Sequence, residues 1–295
     1  MAGKVVFVGE GMLELVRQGQ AWGLGFGGDT LNSAIHMARK GCDVAYLTAL
    51  GTDPFSAELL DKWAAEGIDC ALVLRHPRRI PGLYAITTDA TGERSFTYWR
   101  DSSAARETFA LPESAAAVAE AGGADLLAFS LITLAILPPE GRSALLALAN
   151  AVRGNGGKVA FDGNYRPRLW ASPDEARAAR DAAIACADMG LPTLEDETLL
   201  SGHADGDAVA AHWQGLGCSE TLVKTGAAGC RLPDGTVLAP ERVLDPVDTS
   251  GAGDAFNAGY LAARLAGAAP VEAAVEGHRL AGWTIMRPGA IPPLD

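Results

Sequence analysis

The chain has no apolar run long enough to cross a membrane. Its longest, Leu126 to Leu137, falls well short of the ~20 residues a spanning helix needs and is interrupted by Ser130 and Thr133; it reads as a buried strand and its exit loop. No block of five or more basic residues occurs, and 24 Lys+Arg stand against 36 Asp+Glu in 295 residues, a formal net charge of −12. That removes the electrostatic footprint of a general nucleic-acid or anionic-membrane binder. Cysteine is sparse and odd in number (Cys42, Cys70, Cys186, Cys218 and Cys230), without a C-x-x-C pair, so the expectation is a reduced chain with no disulfide framework. The five histidines form no H-x-x-x-H pair and no zinc spacing with cysteine. A G-x-S-x-G elbow is missing, as is the G-x-x-x-x-G-K-[ST] loop, which closes the P-loop route to nucleotide phosphates. MAGKVVFVGEGM carries no signal-peptide cleavage pattern, and a cytoplasmic location is expected.

What is present is ordinary globular material, 48% hydrophobic and 20% charged. Apolar runs recur at Lys4–Val8, Val44–Ala49, Asp125–Ser130, Lys158–Phe161 and Thr221–Lys224, with helix-like segments between them. Alternating strands and helices predict a mostly parallel sheet covered on both faces. Asp29 or Thr30 can cap a helix through Arg39; Pro139 and Glu140 start one that stops at Gly154-Asn155-Gly156-Gly157; Ser172-Pro173-Asp174-Glu175 is an N-cap followed by proline and acids. Ala115–Ala121 is most simply helical. Two stretches break the rhythm. Gly82–Thr88 and Arg94–Trp99 alternate in polarity around Asp89-Ala90-Thr91-Gly92-Glu93, the pattern of an inserted β-hairpin. With Met12–Arg17 as a further strand, a small β-sheet lid is expected over the active face. No linker or repeat divides the chain, and a single domain over 1–295 is expected, with lid strands near 12–17 and 82–99.

The sharpest motif is Asp248-Thr249-Ser250-Gly251-Ala252-Gly253-Asp254 before an apolar helix. Glycines at a helix N-terminus leave backbone N–H groups unobstructed where the dipole favours an anion. Asp254, in the first turn, can place a carboxylate beside that anion and accept the proton of an attacking hydroxyl. Close helix packing is the plain alternative for a short Gly-x-Gly-Asp, but the full string is more specific. Gly23-Leu24-Gly25-Phe26-Gly27-Gly28 formally matches G-x-G-x-x-G, yet its first glycine does not directly follow the first strand, so it reads as a chance match.

The string around Asp254 resembles the signature of the ribokinase-like, phosphofructokinase-B family of sugar kinases, D-T-x-G-A-G-D, and the likeness spans essentially the whole chain. Gly27-Gly28-Asp29-Thr30-Leu31-Asn32 stands where that family carries a glycine pair and an asparagine in its sugar site. Pro81-Gly82-Leu83-Tyr84, Gly92-Glu93-Arg94 with Tyr98-Trp99-Arg100, and Asn164-Tyr165-Arg166-Pro167-Arg168-Leu169-Trp170 are similar to the branch that phosphorylates 2-keto-3-deoxygluconate, a sugar acid, at its terminal hydroxyl. The resemblance implies a three-layer α/β/α sandwich with a small lid, and sugar contacts at Gly28, Asp29, Asn32, Tyr84, Tyr98, Arg100 and Arg166. It implies Asp254 as base, an anion hole at Gly251, Ala252 and Gly253, and nucleotide contacts at Asn164, Arg166, Lys224, Thr225, Gly226 and Gly229. Val271 to Met286 would flank adenine. A carboxylate substrate suits arginine forks; surface salt bridging is the commoner fate of a single arginine.

One departure concerns the metal. Where many members have Asn-x-x-Glu, this chain reads Leu191-Pro192-Thr193-Leu194-Glu195-Asp196-Glu197, leaving Glu197 or Glu195 to act through water and no firm ligand. Asp162 at a strand end can touch phosphate-bound magnesium or simply cap its turn. ATP and Mg²⁺ are the expected cofactors; a monovalent cation such as K⁺, present in many relatives, is left open. The expected partners are a small sugar acid and ATP, with no nucleic acid or membrane, and a homo-oligomer, the lid offering an edge for a dimer. Two other functions remain: a kinase of a neutral ketohexose (fructose or tagatose type) or of a nucleoside, and a silent sugar-binding protein on the same fold.

Overall fold

The computed structural model describes residues 3–88 and 94–294. The strands are β1 Lys4–Val8, β2 Met12–Gln18, β3 Ala21–Gly27, β4 Asp43–Leu50, β5 Ile68–Asp69, β6 Val73–Arg75, β7 Leu83–Thr88, β8 Arg94–Trp99, β9 Leu126–Ser130, β10 Lys158–Asp162, β11 Met189–Gly190, β12 Glu220–Thr221, β13 Val223–Lys224, β14 Cys230–Arg231 and β15 Val237–Leu238. The helices are α1 Asp29–Arg39, α2 Pro54–Ala65, α3 Ser114–Ala121, α4 Leu131–Ile136, α5 Pro139–Gly154, α6 Pro173–Cys186, α7 Leu194–Ser201, α8 Gly206–Gly215, α9 Ala252–Leu265 and α10 Pro270–Ile285.

The main sheet runs β12-β11-β10-β9-β1-β4-β5, with β6 also on β4, and its pairs are parallel. Strands covered on both faces need continuous apolar sequence. Accordingly Val5 and Val6 are both 0% exposed yet point to opposite layers: Val6 joins Leu127, Phe129 and Phe161 under α5 and α6, and Val5 joins Tyr46, Leu31 and Tyr260 under α1 and α9. This is a three-layer α/β/α sandwich. Local chemistry sets the helix starts. Ser172 accepts from the Glu175 amide at 3.2 Å with Pro173 behind it, and Asp53 accepts from the Ser56 amide at 3.1 Å.

The lid is a four-stranded sheet, β3-β2-β7-β8, whose β2–β7 pair is parallel and whose outer pairs are antiparallel. The hairpin and the strand near residue 12 form as expected; its turn, Asp89 to Glu93, lies outside the described residues. The G-x-G-x-x-G string is lid strand β3, as its poor fit to a dinucleotide loop required. Three expectations are corrected. Leu131–Ile136 is a short helix rather than an exit loop, because Ser130 and Thr133 form a capping box at its start. The run Thr221–Lys224 divides at Leu222: β12 ends the main sheet, and β13 opens an antiparallel ribbon with β14 and β15. Neither Asp29 nor Thr30 caps α1. Gly28 is the N-cap, and a Cβ there would lie 2.2 Å from the Glu10 carbonyl oxygen.

The chain passes from β1 to β4 on one side and later returns to β9 on the other. The crevice outside the strand ends at such a reversal is where open α/β sheets bind ligands. Glu10, Ser130 and Asp162 all stand at that carboxyl edge, beneath the lid.

Candidate active site

Helix α9 begins at Gly251, whose φ of +70° is left-handed and where a Cβ would meet the Ala290 Cβ at 2.5 Å, so only glycine fits. Asp248 holds this turn: its Oδ1 accepts from the Ser250 amide at 2.9 Å and its Oδ2 from the Gly289 amide at 2.6 Å. Gly253 lies one residue inside the helix, and the Lys224 Nζ would be 3.8 Å from a Cβ there. The Ala252 amide donates to the Thr249 carbonyl at 3.3 Å, so of the expected anion hole the Gly251 and Gly253 amides remain, with a buried ammonium beside them, as an anion cradle.

Asp254 projects from the first turn toward α1. Asn32 donates to its Oδ2 at 2.8 Å and the Ser33 hydroxyl to its main-chain oxygen at 3.0 Å. Burial, reinforced by the negative charge of Asp29, pushes the Asp254 carboxyl up to about 7, against the Asn32 hydrogen bond and Lys224, which pull it down. A carboxylate poised near neutrality beside a cradle suits proton abstraction. Asp29 itself is raised, chiefly by burial; its Oδ2 accepts from Ser130 Oγ at 2.5 Å and Asn164 Nδ2 at 3.3 Å.

The lid supplies the opposite wall. Glu14, Tyr84 and Tyr98 lie in one row across β2, β7 and β8, so they share a face. Tyr84 donates to Glu14 Oε2 at 2.5 Å and stacks at a tilt on Tyr98, ring centroids 5.8 Å apart. The Tyr84 hydroxyl would be 2.4 Å from a Cβ on Gly27, with Asn32 Oδ1 at 3.5 Å; the lid tyrosine thus reaches the Asn32–Asp254 pair. Tyr98 feels the positive charges of Arg100, Arg166 and Arg168 and the negative charge of Asp29, so three arginines cluster at this end of the crevice in a chain of net charge −12.

Nucleotide-side residues gather on a separate cleft of 550 Å³ lined by Lys224, Gly226, Gly229, Gly253 and, from α10, His278 and Gly282. Helix α10 flanks this cleft. Lys224 joins the two halves: its ammonium donates to Asp162 Oδ1 at 3.2 Å and Asn257 Oδ1 at 3.0 Å, and Asn257 donates in turn to Asp162 Oδ2 at 2.7 Å. Asn164, Arg166 and Thr225 do not line this cleft. Asn164 bonds Asp29 on the other side, Arg166 bonds Tyr165 O and Asp196, and Thr225 closes its own turn through the Gly229 carbonyl.

Two further expectations change. Arg100 reaches the crevice, but its Nε and Nη2 both bond Glu10 Oε2, at 2.8 and 2.5 Å, so that edge is not free to fork onto a ligand carboxylate. Glu197 is 1% exposed and spent on Arg180 and Trp213, so it is not free to act through water, while Glu195 is exposed. Asp196 stands there instead, its carboxyl pushed up to about 6 by burial and Asp162, with Arg166 and Lys224 opposing. Among the described residues no group of three or more His, Cys, Asp or Glu side chains could hold a metal ion by itself. Sequence reasoning also missed Glu10, Glu14 and Arg168; a charged residue between two glycines at the end of the first strand was the one visible signal, for Glu10.

A three-layer sandwich with a β lid, an anion cradle and a poised carboxylate defines a phosphoryl-transfer enzyme of the sugar-kinase type. The chain belongs to the pfkB family of carbohydrate kinases, whose family model matches residues 4–295. It is 44% identical to the 2-dehydro-3-deoxygluconokinase of Escherichia coli (strain K12), over all of this chain and 99% of that protein, and 42% identical to that of Dickeya dadantii (strain 3937), over 99% and 97%. A solved PfkB protein from Polaromonas sp. JS666 superposes with a TM-score of 0.83 at 30% identity, covering 95% of this chain and 94% of that one. Aminoimidazole riboside kinase from Salmonella enterica, solved with its riboside and an ATP analogue, gives 0.81 at 25% identity, covering 98% and 95%.

Proposed function

We propose that this protein transfers the γ-phosphoryl group of ATP to the terminal hydroxyl of 2-keto-3-deoxygluconate (2-dehydro-3-deoxygluconate), giving the 6-phosphate and ADP. The observation that carries the reading is Asp254, half-buried between the Asn32 side chain and the glycine amides of the cradle with its carboxyl near 7. Full-length relatives named for this activity support the choice of sugar acid, and so do Arg166 and Arg168 beside Tyr98.

In this reading the sugar chain lies over Gly28, Asp29 and Asn32, under Tyr84 and Tyr98, with its carboxylate toward Arg166 and Arg168. Asp254 takes the proton of the terminal hydroxyl as that oxygen attacks phosphorus in line; the bond to the bridging oxygen breaks and ADP leaves. The amides of Gly251 and Gly253 and the Lys224 ammonium hold the charge of the transferring group. Asp162 and Asp196, the two carboxylates at this edge, would hold a Mg²⁺ through its waters, and bound there it would supply neutralisation of phosphate charge. Asp248 accepts a backbone amide on each carboxylate oxygen, and no step is routed through K⁺. The exposed aromatics Trp22 and Trp99, on the lid face opposite Tyr84 and Tyr98, support a homodimer through the lid, and free cysteines fit a cytoplasmic setting.

The test is product analysis by ³¹P NMR after incubation with MgATP and the sugar acid. One phosphate monoester on the C6 oxygen with equimolar ADP is expected; ADP release independent of the sugar acid would overturn the reading.

A further inference from the structure

Glu10 follows β1 between Gly9 and Gly11 and is 2% exposed. It stands between the two segments that build the sugar crevice. Its main-chain oxygen presses on Gly28, and its side chain runs under the lid to Arg100. A carboxylate facing a guanidinium edge ordinarily takes two parallel bonds, one on each oxygen. Here both Arg100 bonds fall on Oε2, at 2.8 and 2.5 Å, and Oε1 has no donor; it is the one buried carboxylate oxygen so placed among the described residues. Gly82, at the foot of β7, packs directly against Oε1, where a Cβ would come within 2.6 Å, so no protein side chain from that strand supplies the missing donor.

A desolvated carboxylate oxygen without a donor is costly to maintain, and the ion pair with Arg100 does not explain it. We propose that Glu10 is a specificity-determining residue of the crevice: Oε1 accepts a hydrogen bond from a hydroxyl on the substrate's carbon chain while Oε2 fixes Arg100. The inference rests on the sugar-acid kinase reading. It also orients the substrate, because Oε1 repels a carboxylate, so the acid end lies toward Arg166 and Arg168 and the hydroxylated carbons lie toward the lid hinge.

The experiment measures kcat/KM of the wild-type protein and of Glu10→Gln with 2-keto-3-deoxygluconate and with its analogues deoxygenated at C4 and at C5. With the parent sugar acid Glu10→Gln should lose about 10- to 100-fold, mostly in KM, the size expected for a hydrogen bond to a charged acceptor. With the one analogue lacking the recognised hydroxyl the two proteins should agree within about 2-fold, and KM for ATP should not change. An equal loss on all three substrates would mean that Glu10 only props Arg100 and would overturn the proposal, as would no loss at all. Should Glu10→Gln fail to fold, Glu10→Asp, which withdraws the carboxylate by one methylene, is read on the same substrates. A wild-type protein that turns over none of these sugar acids overturns the kinase reading instead, and shows itself without any variant.

Discussion

At the scale of single residues the chemistry turns on carboxylates whose protons are held by burial and by one another. Asp254→Asn keeps the size of the side chain and an oxygen for Asn32 but cannot accept a proton, so kcat should fall about 10²- to 10⁴-fold while the sugar's Kd, from calorimetry, changes little. The same substitution should raise the Tm at pH 8. The carboxyl titrates near 7 in the folded protein against about 4 in an unfolded chain, so the folded state binds the proton more tightly; the stability this gives is present below pH 4, lost as pH rises to 7, and absent at pH 8. Removing the charge removes that cost. Since the base must be ionised, kcat/KM should also fall as pH drops below about 7. Asp29→Asn, by deleting the neighbouring negative charge, should move that limb to lower pH whatever it does to the rate. Asp254 and Asn32 were legible in the sequence because their motifs are contiguous strings. Asp196 and Glu10 were not, because their roles depend on Arg166, Lys224 and Arg100, brought in from 28 to 90 positions away by the fold.

Among the elements, the start of α9 matters most. Gly251→Ala demands a left-handed alanine whose Cβ strikes Ala290 at 2.5 Å and should cost about 1–3 kcal/mol, read as a lower denaturation midpoint. Gly253→Ala meets nothing nearer than Lys224 Nζ at 3.8 Å, so the fold should hold while the methyl group crowds the cradle and kcat falls. A separation of the two effects, stability for the first and rate for the second, is the outcome to look for. The lid hairpin was readable because Leu83–Thr88 and Arg94–Trp99 alternate in polarity, and α6 because Ser172-Pro173 announces its start. Helix α4 was hidden in an apolar run with no period, and strand β3 by its glycines. The break at Leu222 left no trace, since each half pairs with a different sheet.

The whole molecule is acidic with an arginine cluster at one end of the crevice, and that contrast was half visible: the net charge is arithmetic, whereas the convergence of Arg100, Arg166 and Arg168 on Tyr98 needs the lid folded over the β10 loop. Sheet order was likewise beyond pattern reasoning, because the reversal around β1 depends on which strands pair. Exposed charges are screened over roughly 10 Å at 0.1 M salt, so KM for a sugar acid should rise with ionic strength, more steeply than KM for any neutral sugar the enzyme turns over. The most direct measurement of the central claim is the ratio of kcat/KM for 2-keto-3-deoxygluconate to that for fructose or tagatose, by coupled ADP release at fixed MgATP. A ratio above about 100, the discrimination a few charge-assisted hydrogen bonds supply, is predicted; a ratio near or below one would contradict a sugar-acid kinase while leaving the fold and Asp254 in place.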